Sequence, residues 1–217
     1  MSYKPLPLTV ELHEYLLEHS TPPDPVMADL IEETRKALPE KASMQVAPEQ
    51  AAFLRILTSV MGVRRAVEVG TFTGLSALSI ARGLADGGRL TCFDISDEFT
   101  RVARRYWERA GVDDRIELRI GAAAERIGEL PGEAHLDLVF IDADKDGYPV
   151  YWNELVPRVR QGGVLLVDNT LWSGRVVDPQ SDRDRGMVAF NDLVRADPRV
   201  ELVMLPIADG LTMARKL

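Results

Sequence analysis

The sequence predicts an α/β fold in which a mostly parallel sheet is covered by helices on both faces. From residue 65 onward, short apolar runs typical of buried strands alternate with segments of helical periodicity, which is the pattern of a parallel sheet with helical crossovers. The last two strand candidates are separated only by residues 208–210, too few for a crossover. They are therefore expected to form an antiparallel hairpin at or near the edge of a seven-stranded sheet.

The N-terminal part of the chain is expected to be helical and peripheral. Residues 1–45 are interpreted as a helical extension that caps the domain or packs on a second subunit, and residues 46–217 as the main domain. Apolar residues at helical spacing predict helices over 10–19 and 26–34, separated by the proline-rich breaker at 21–25.

A third helix is expected to begin at Pro48, because proline is favoured in a first helical turn. Its inward-facing residues are predicted to be Ala52, Phe53, Ile56, Leu57 and Val60. The predicted strands lie at residues 65–70, 89–94, 115–121, 136–142, 163–168, 200–207 and 211–217, and the predicted helices at 74–85, 97–110, 148–159 and 182–196. The irregular stretch 170–181 leaves the carboxyl end of a strand, where long loops are usually functional.

Composition favours a small-molecule ligand. The chain has 217 residues, a formal net charge of −8 and a pI near 5.0, whereas nucleic acid or an anionic membrane requires a basic face. The single cysteine, Cys92, lies in an apolar run and precludes an internal disulfide, which suits a reducing cytoplasm. Residues 1–7 lack the apolar core of a signal peptide, and no segment is apolar enough to span a membrane. A soluble cytoplasmic protein is expected.

Polar side chains follow two strands of the predicted sheet. Asp142 ends the run VFI at 139–141, and Asp168 and Asn169 end the run VLLV at 164–167. If these strands are neighbours, their ends lie about 5 Å apart, and the three side chains form an oxygen-only cluster. Such a cluster suits a hard divalent cation, Mg²⁺ or alternatively Ca²⁺ or Mn²⁺, better than Zn²⁺. The alternative for each residue alone is a turn former or helix N-cap.

A nucleoside pocket is predicted where the first strand meets the following helix. Gly70 and Gly74 form a Gly-x-x-x-Gly turn, with Glu68 on the strand before it, so the spacing departs from a dinucleotide fingerprint. A carboxylate at Glu68 repels a pyrophosphate and suits a cationic ligand, and Asp94 ends the next strand where acidic residues receive a ribose diol. Both features fit S-adenosylmethionine. The alternatives are that Asp94 caps a helix and that the glycines serve only close packing.

Two other function classes remain open. One is an NAD-dependent oxidoreductase on a similar sheet, which the glycine spacing and Glu68 disfavour; the other is a nucleoside-binding module without turnover. A zinc site or a histidine-based hydrolase is disfavoured, because His13, His19 and His135 are far apart and no Gly-x-Ser-x-Gly motif occurs.

Three motifs together resemble the cation-dependent O-methyltransferases, which include catechol O-methyltransferase and the caffeoyl-CoA O-methyltransferases. They are VEVGTFTGLS at 67–76, FIDADK at 140–145 and VDNTLW at 167–172. The resemblance extends from about Met44 to the C terminus. It implies a Rossmann-like class I methyltransferase fold with the reversed terminal hairpin, S-adenosylmethionine as cofactor and a homodimer.

The resemblance also implies roles for individual residues. It implies that the cofactor pocket contains Met44 and Val46 at the methionine end, then Gly70, Phe72 and Ser76, with Ala123 near the adenine and Asp142 shared with the catalytic centre. Asp142, Asp168 and Asn169 match the metal ligands, Lys145 the catalytic lysine, and Trp172 an aromatic residue of the substrate wall.

The expected reaction is methylation of a phenolic hydroxyl. A phenol has a pKa of about 10, so a bound divalent cation is needed to stabilise the phenolate, and Lys145 is a candidate general base. The alternative for Lys145 is a solvated surface lysine. A catechol-type acceptor is expected, because two adjacent hydroxyls can both bind the cation. The short turn at 208–210 argues against a coenzyme A thioester, and Arg175, Arg183 and Arg185 either meet an acidic acceptor or form a solvated face.

Overall fold

The computed structural model describes residues 6–217. The first five residues of the expected extension, on which the signal-peptide prediction partly falls, lie outside the described residues. The helices are α1 Val10–Glu18, α2 Pro25–Ala37, α3 Pro48–Val60, α4 Leu75–Gly83, α5 Asp97–Arg109, α6 Ala123–Arg126, α7 Tyr148–Leu155 and α8 Asp182–Ala196. The strands are β1 Arg65–Val69, β2 Arg89–Asp94, β3 Ile116–Ile120, β4 Leu136–Ile141, β5 Val159–Val167, β6 Val200–Leu205 and β7 Leu211–Lys216.

The strands form one seven-stranded sheet in the order β3-β2-β1-β4-β5-β7-β6. The first five strands pair in parallel, and β7 runs antiparallel to both β5 and β6. One apolar core lies between the sheet and α2 to α5, and a second lies between the sheet and α6 to α8. The predicted α/β architecture with a terminal antiparallel hairpin is confirmed.

The N-terminal helices differ in how they meet the rest of the protein. Helix α2 buries Met27 and Leu30 in the same core as α4, and Thr34 donates a hydrogen bond to Thr73, with 3.0 Å between the hydroxyl oxygens. Helix α1 contributes no buried residue. The expected peripheral extension therefore has an integrated part and an exposed part. No helix in the range 6–217 is long and apolar enough to cross a membrane.

The predicted inward face of α3 is partly wrong, although Phe53 and Leu57 are partly buried against the core as expected. Ile56 and Val60 are exposed, and the residues that α3 buries are Gln50, Ala51, Leu54 and Thr58. The predicted residues and the buried residues of α3 both recur at helical spacing. Periodicity alone therefore did not show which of the two faces is buried. Thr58 tolerates burial because its hydroxyl donates to the carbonyl oxygen of Leu54, at 2.6 Å.

Two further differences have local causes. The predicted helix 148–159 ends as α7 at Leu155 and continues as a short 3₁₀ turn over Val156–Arg158, because Pro157 has no N–H to extend the α-helical hydrogen bonds. Strand β5 then begins at Val159, and its register against β4 shifts between Leu136 and Leu138. Helix α6 was not predicted, because its four residues are too few to show a periodic pattern.

Candidate active site

A cavity of about 820 Å³ opens at the carboxyl ends of the parallel strands. It lies between β1 and β4, where the order of the strands along the sheet reverses. Open α/β sheets bind ligands at this position. Its lining includes all of the predicted site residues but one: Met44, Val46, Gly70, Phe72, Ser76, Asp94, Ala123, Asp142, Lys145, Asp168, Asn169 and Trp172. The exception is Glu68.

The loop that follows β1 can only be built with glycine at two positions. Gly70 has φ +89°, and a Cβ there would overlap the carbonyl oxygen of Asp142. Gly74 has φ +86°, and its Cβ would overlap the side chain of Ala103. Close packing therefore explains both glycines. Because Gly70 also lies in the cavity lining, its backbone is accessible to a ligand.

The Asp94 side chain stabilises this loop by hydrogen bonds to its backbone and does not cap a helix. One carboxylate oxygen accepts the backbone N–H groups of Thr71 and Phe72, at 2.9 and 2.8 Å. The other accepts the N–H of Ser96, at 2.7 Å, and Ser96 is the N-cap of α5. A carboxylate has about four acceptor positions, so capacity remains for one hydroxyl from the cavity.

Glu68 lies behind the cavity wall, not in it. Side chains alternate along a strand, and Glu68 shares the face of Ala66, which packs in the core beneath α3 and α4. It is 0% exposed, and one carboxyl oxygen lies 3.4 Å from Cys92 Sγ. Burial raises the pKa of Glu68 to about 7, opposed by hydrogen bonds from Ser76, Cys92 and Thr71. The structure therefore has Glu68 outside the cavity lining, and its contact with a cationic ligand stays a prediction.

The predicted metal-binding residues come together at the ends of β4 and β5. The parallel ladder continues one residue beyond each strand: the Asp142 N–H donates to Val69 O at 2.8 Å, and the Asp168 N–H donates to Ile141 O at 3.0 Å. This places both carboxylates in the cavity lining beside Asn169.

The electrostatics of this acidic pair fit a bound cation. Burial, and then repulsion by the Asp142 carboxylate, raise the pKa of Asp168 to about 7. Two carboxylates and an amide provide the oxygen ligands that Mg²⁺ prefers. Within residues 6–217, no group of three or more His, Cys, Asp or Glu side chains forms a metal cluster. The fit therefore depends on Asn169 as the third ligand.

Lys145 contacts Asp142, and its side chain is 20% exposed, so it is not a solvated surface lysine. Its Nζ lies 3.0 Å from Asp142 Oδ1 and donates to the hydroxyl of Tyr148 at 2.5 Å. That hydroxyl donates in turn to Asp168 O, at 3.2 Å. Burial, followed by Asp142 and Asp168, raises the pKa of Tyr148 well above its usual range, so the phenol stays protonated. Tyr148 was missed in the sequence, although it lies one helical turn after Lys145.

Trp172 forms one wall of the cavity. Its indole N–H donates to Asp184 Oδ1 at 2.8 Å, and the guanidinium of Arg175 lies 4.8 Å from the centre of its ring. Trp172 and Arg175 lie in the cavity lining, whereas Arg183 and Arg185 do not. Of the three arginines considered for an acidic acceptor, the structure thus places one at the site.

Gln50 is a second site residue that the sequence interpretation missed. It lies in the cavity lining and is 1% exposed, yet neither atom of its amide has a hydrogen-bond partner among the described residues. A buried polar group left unpaired costs about 1–3 kcal/mol. The only available signal was a glutamine on the first turn of a helix that otherwise buries small and apolar residues.

The comparisons with known proteins agree with this site. A family model described as O-methyltransferase matches residues 17–217. The chain belongs to the O-methyltransferase family. It is 38% identical over 209 residues to a probable caffeoyl-CoA O-methyltransferase 1 of Dictyostelium discoideum, covering 94% of this chain and 90% of that protein.

A second relative and a solved structure extend the comparison. The caffeoyl-CoA O-methyltransferase of Eucalyptus gunnii is 34% identical over 231 aligned positions, covering 100% of this chain and 92% of the relative. The O-methyltransferase from Bacillus cereus, solved in complex with SAH, superposes with a TM-score of 0.85 at 32% identity, covering 95% of this chain and 97% of that one. The predicted class I fold and S-adenosylmethionine-dependent O-methyltransferase activity are confirmed.

Proposed function

We propose that this O-methyltransferase requires a divalent cation and methylates one hydroxyl of a catechol-type aromatic acceptor. The observation that carries the proposal is the placement of Asp142, Asp168, Asn169 and Lys145 in one cavity with the glycine loop after β1. The cofactor site and the acceptor site are then two ends of the same cavity, as a direct methyl transfer requires.

The charges of the cavity support a cationic cofactor. Its lining contains the carboxylates of Asp94, Asp142, Asp144, Asp168 and Asp209 against the two cations Lys145 and Arg175. This excess of negative charge attracts a sulfonium ion and disfavours the pyrophosphate of NAD. Asp94 accepts the ribose, Ala123 packs near the adenine, and Met44, Val46, Phe72 and Ser76 enclose the methionine end, with the backbone of Gly70 beside them.

The acidic pair and Asn169 hold the cation, with Mg²⁺ as the expected ion. When bound, the cation stabilises the phenolate form of the acceptor hydroxyl. Lys145 in its neutral amine form takes up the hydroxyl proton at Nζ and becomes the ammonium, and Asp142 and the Tyr148 hydroxyl hold this group in place. Trp172 supports the aromatic ring of the acceptor.

The rim of the cavity supports a small acceptor. The turn between β6 and β7 contributes Ala208 and Asp209 to the lining, and Asp209 accepts the N–H of Ser173 at 2.5 Å. Gly210 packs directly against Leu171. These contacts join the short hairpin to the loop after β5 and support the proposal that the acceptor is small.

The test is an acceptor panel with S-adenosylmethionine. After exhaustive chelation of the purified protein, we expect methyl transfer to an aromatic acid with two adjacent hydroxyls to be abolished. Addition of Mg²⁺ should then restore it. A matched monohydroxy acid should react far more slowly, because it offers the cation a single ligand. Full activity after chelation contradicts the cation requirement, and equal rates contradict bidentate binding. Cofactor binding without transfer to any acceptor would instead indicate a non-catalytic module.

We also propose a homodimer. Helix α1 and the segment before it expose Leu8, Val10, Tyr15 and Leu16, more apolar surface than a solvated helix requires. Light scattering at assay concentration should give twice the chain mass of 24.1 kDa; the mass of a single chain would contradict the proposal.

A further inference from the structure

Gln50 has no structural partner for either end of its amide. Its side chain is 1% exposed, and Oε1 and Nε2 make no hydrogen bond to any described residue. Gln50 is the third residue of α3, a position from which glutamine commonly reaches back to the N-cap N–H. Gln50 does not make this local bond, so the amide remains available to a ligand.

The position of this amide indicates which ligand it meets. Gln50 lies in the cavity lining, and its amide lies close to the Asp168 carboxylate without a hydrogen bond of normal geometry. Asp168 belongs to the end of the cavity assigned to the acceptor. The amide is neutral, has one acceptor and two donors, and therefore complements a neutral group that both donates and accepts.

We infer that Gln50 recognises the second hydroxyl of the acceptor, the one that keeps its proton during methyl transfer. The inference rests on the proposed catechol-type acceptor and adds a residue that selects it. The hydroxyl donates a hydrogen bond to Gln50 Oε1, while its oxygen remains a ligand of the cation in the proposed function. A monohydroxy acceptor leaves the amide unpaired, and a site built for a hydroxyl strongly rejects an analogue without one.

The decisive variant is Gln50→Met, which keeps the length of the side chain and removes both polar atoms. We expect kcat/KM for the vicinal diol to fall about 10- to 100-fold, while kcat/KM for the matched monohydroxy acceptor changes less than about twofold. Calorimetry on protein saturated with SAH and Mg²⁺ should show weaker binding of the diol. The exposed Gln161→Met on β5 is the matched control and should leave both values unchanged.

Two further measurements separate recognition from a structural role. The melting temperature of the ligand-free protein should not fall in Gln50→Met, and should rise if the unpaired amide destabilises the free protein. The affinity for SAH should stay within about twofold, which excludes a primary contact with the cofactor. If Gln50→Met does not fold, Gln50→Leu provides the same comparison.

The inference is overturned by an equal loss for both acceptors, by an unchanged preference for the diol, or by a loss of SAH affinity as large as the loss of diol affinity. These outcomes differ from failure of the proposed function itself, because in that case the wild-type protein would not methylate the diol in the presence of Mg²⁺.

Discussion

Glu68→Gln tests the most heavily buried carboxyl next to the cofactor loop. Glu68 is fully buried, its Oε1 has no partner in the described chain, and burial raises its pKa from 4.5 to about 7. One pKa unit corresponds to about 1.4 kcal/mol, so this shift represents about 3 kcal/mol of difference between the protonated and ionised forms. Solvent does not screen this energy, because the Glu68 side chain is inaccessible to water.

The sign of the pH dependence follows from proton uptake. Between pH 4.5 and about 7, the folded protein holds the Glu68 proton and the unfolded chain has lost it. The stabilising contribution is therefore complete below pH 4.5 and is lost as pH rises through about 7. Glutamine cannot ionise, so the free energy of unfolding of Glu68→Gln should rise relative to that of the wild type by about 3 kcal/mol between pH 4.5 and pH 8.

The assay is urea unfolding of metal-free and cofactor-free protein at several values between pH 5 and pH 8. The quantity to measure is how the difference in free energy of unfolding between Glu68→Gln and the wild type changes with pH. Unpaired N–H donors of the new amide shift this difference by the same amount at every pH, so they do not affect its slope. Glu14→Gln on the exposed helix α1 is the matched control. A difference that does not vary with pH would refute the reasoning, since Glu68 would then titrate alike in both states.

The remaining predictions concern single contacts in the cavity. Asp94→Ala should weaken SAH binding by about 1.5–3 kcal/mol in calorimetry, because a charged acceptor is lost; an unchanged affinity would show that Asp94 only fastens the loop. Asp168→Ala should abolish Mg²⁺-dependent turnover while SAH still binds, and comparable losses in both would contradict its assignment to the metal. Tyr148→Phe should lower kcat about fivefold and leave the SAH affinity intact, because it removes the hydrogen bonds of this hydroxyl with Lys145 and with the carbonyl oxygen of Asp168; an unaltered kcat would show that Asp142 alone is enough to hold the amine.

Much of the fold followed from patterns that are local in sequence. Residues 208–210 are too few for a crossover, and this length alone is enough to require that β6 and β7 run antiparallel. The irregular start of β5 was different. Its register shift against β4 depends on how the two strands meet in space, and nothing in the residues near Gly162 specifies that offset.

The site residues that the sequence missed are polar groups on helices. Gln50 was overlooked because the apolar residues of α3 offered a second helical face, of which Ile56 and Val60 are exposed in the structure. Tyr148 was assigned only to helix formation, although its hydroxyl links Lys145 to the backbone of Asp168. A periodicity argument ranks faces by hydrophobicity, so it does not detect a polar side chain that the fold buries for a ligand.

The acidic residues near the strand ends show what decides which carboxylates reach the cavity. Glu68 lies within β1 and must follow the alternation of the strand, which directs it into the core beneath α4. Asp142 and Asp168 each come one residue after the last paired position, Ile141 and Val167, where the chain turns away. A carboxylate beyond the end of a strand is therefore free to face the cavity, whereas one within a strand faces it only if its parity allows. An acidic residue at position 67 or 69 of β1 would point to the opposite face of the sheet from Glu68. That face packs among the apolar residues next to α7, so the shifted carboxylate would not reach the ligand site either.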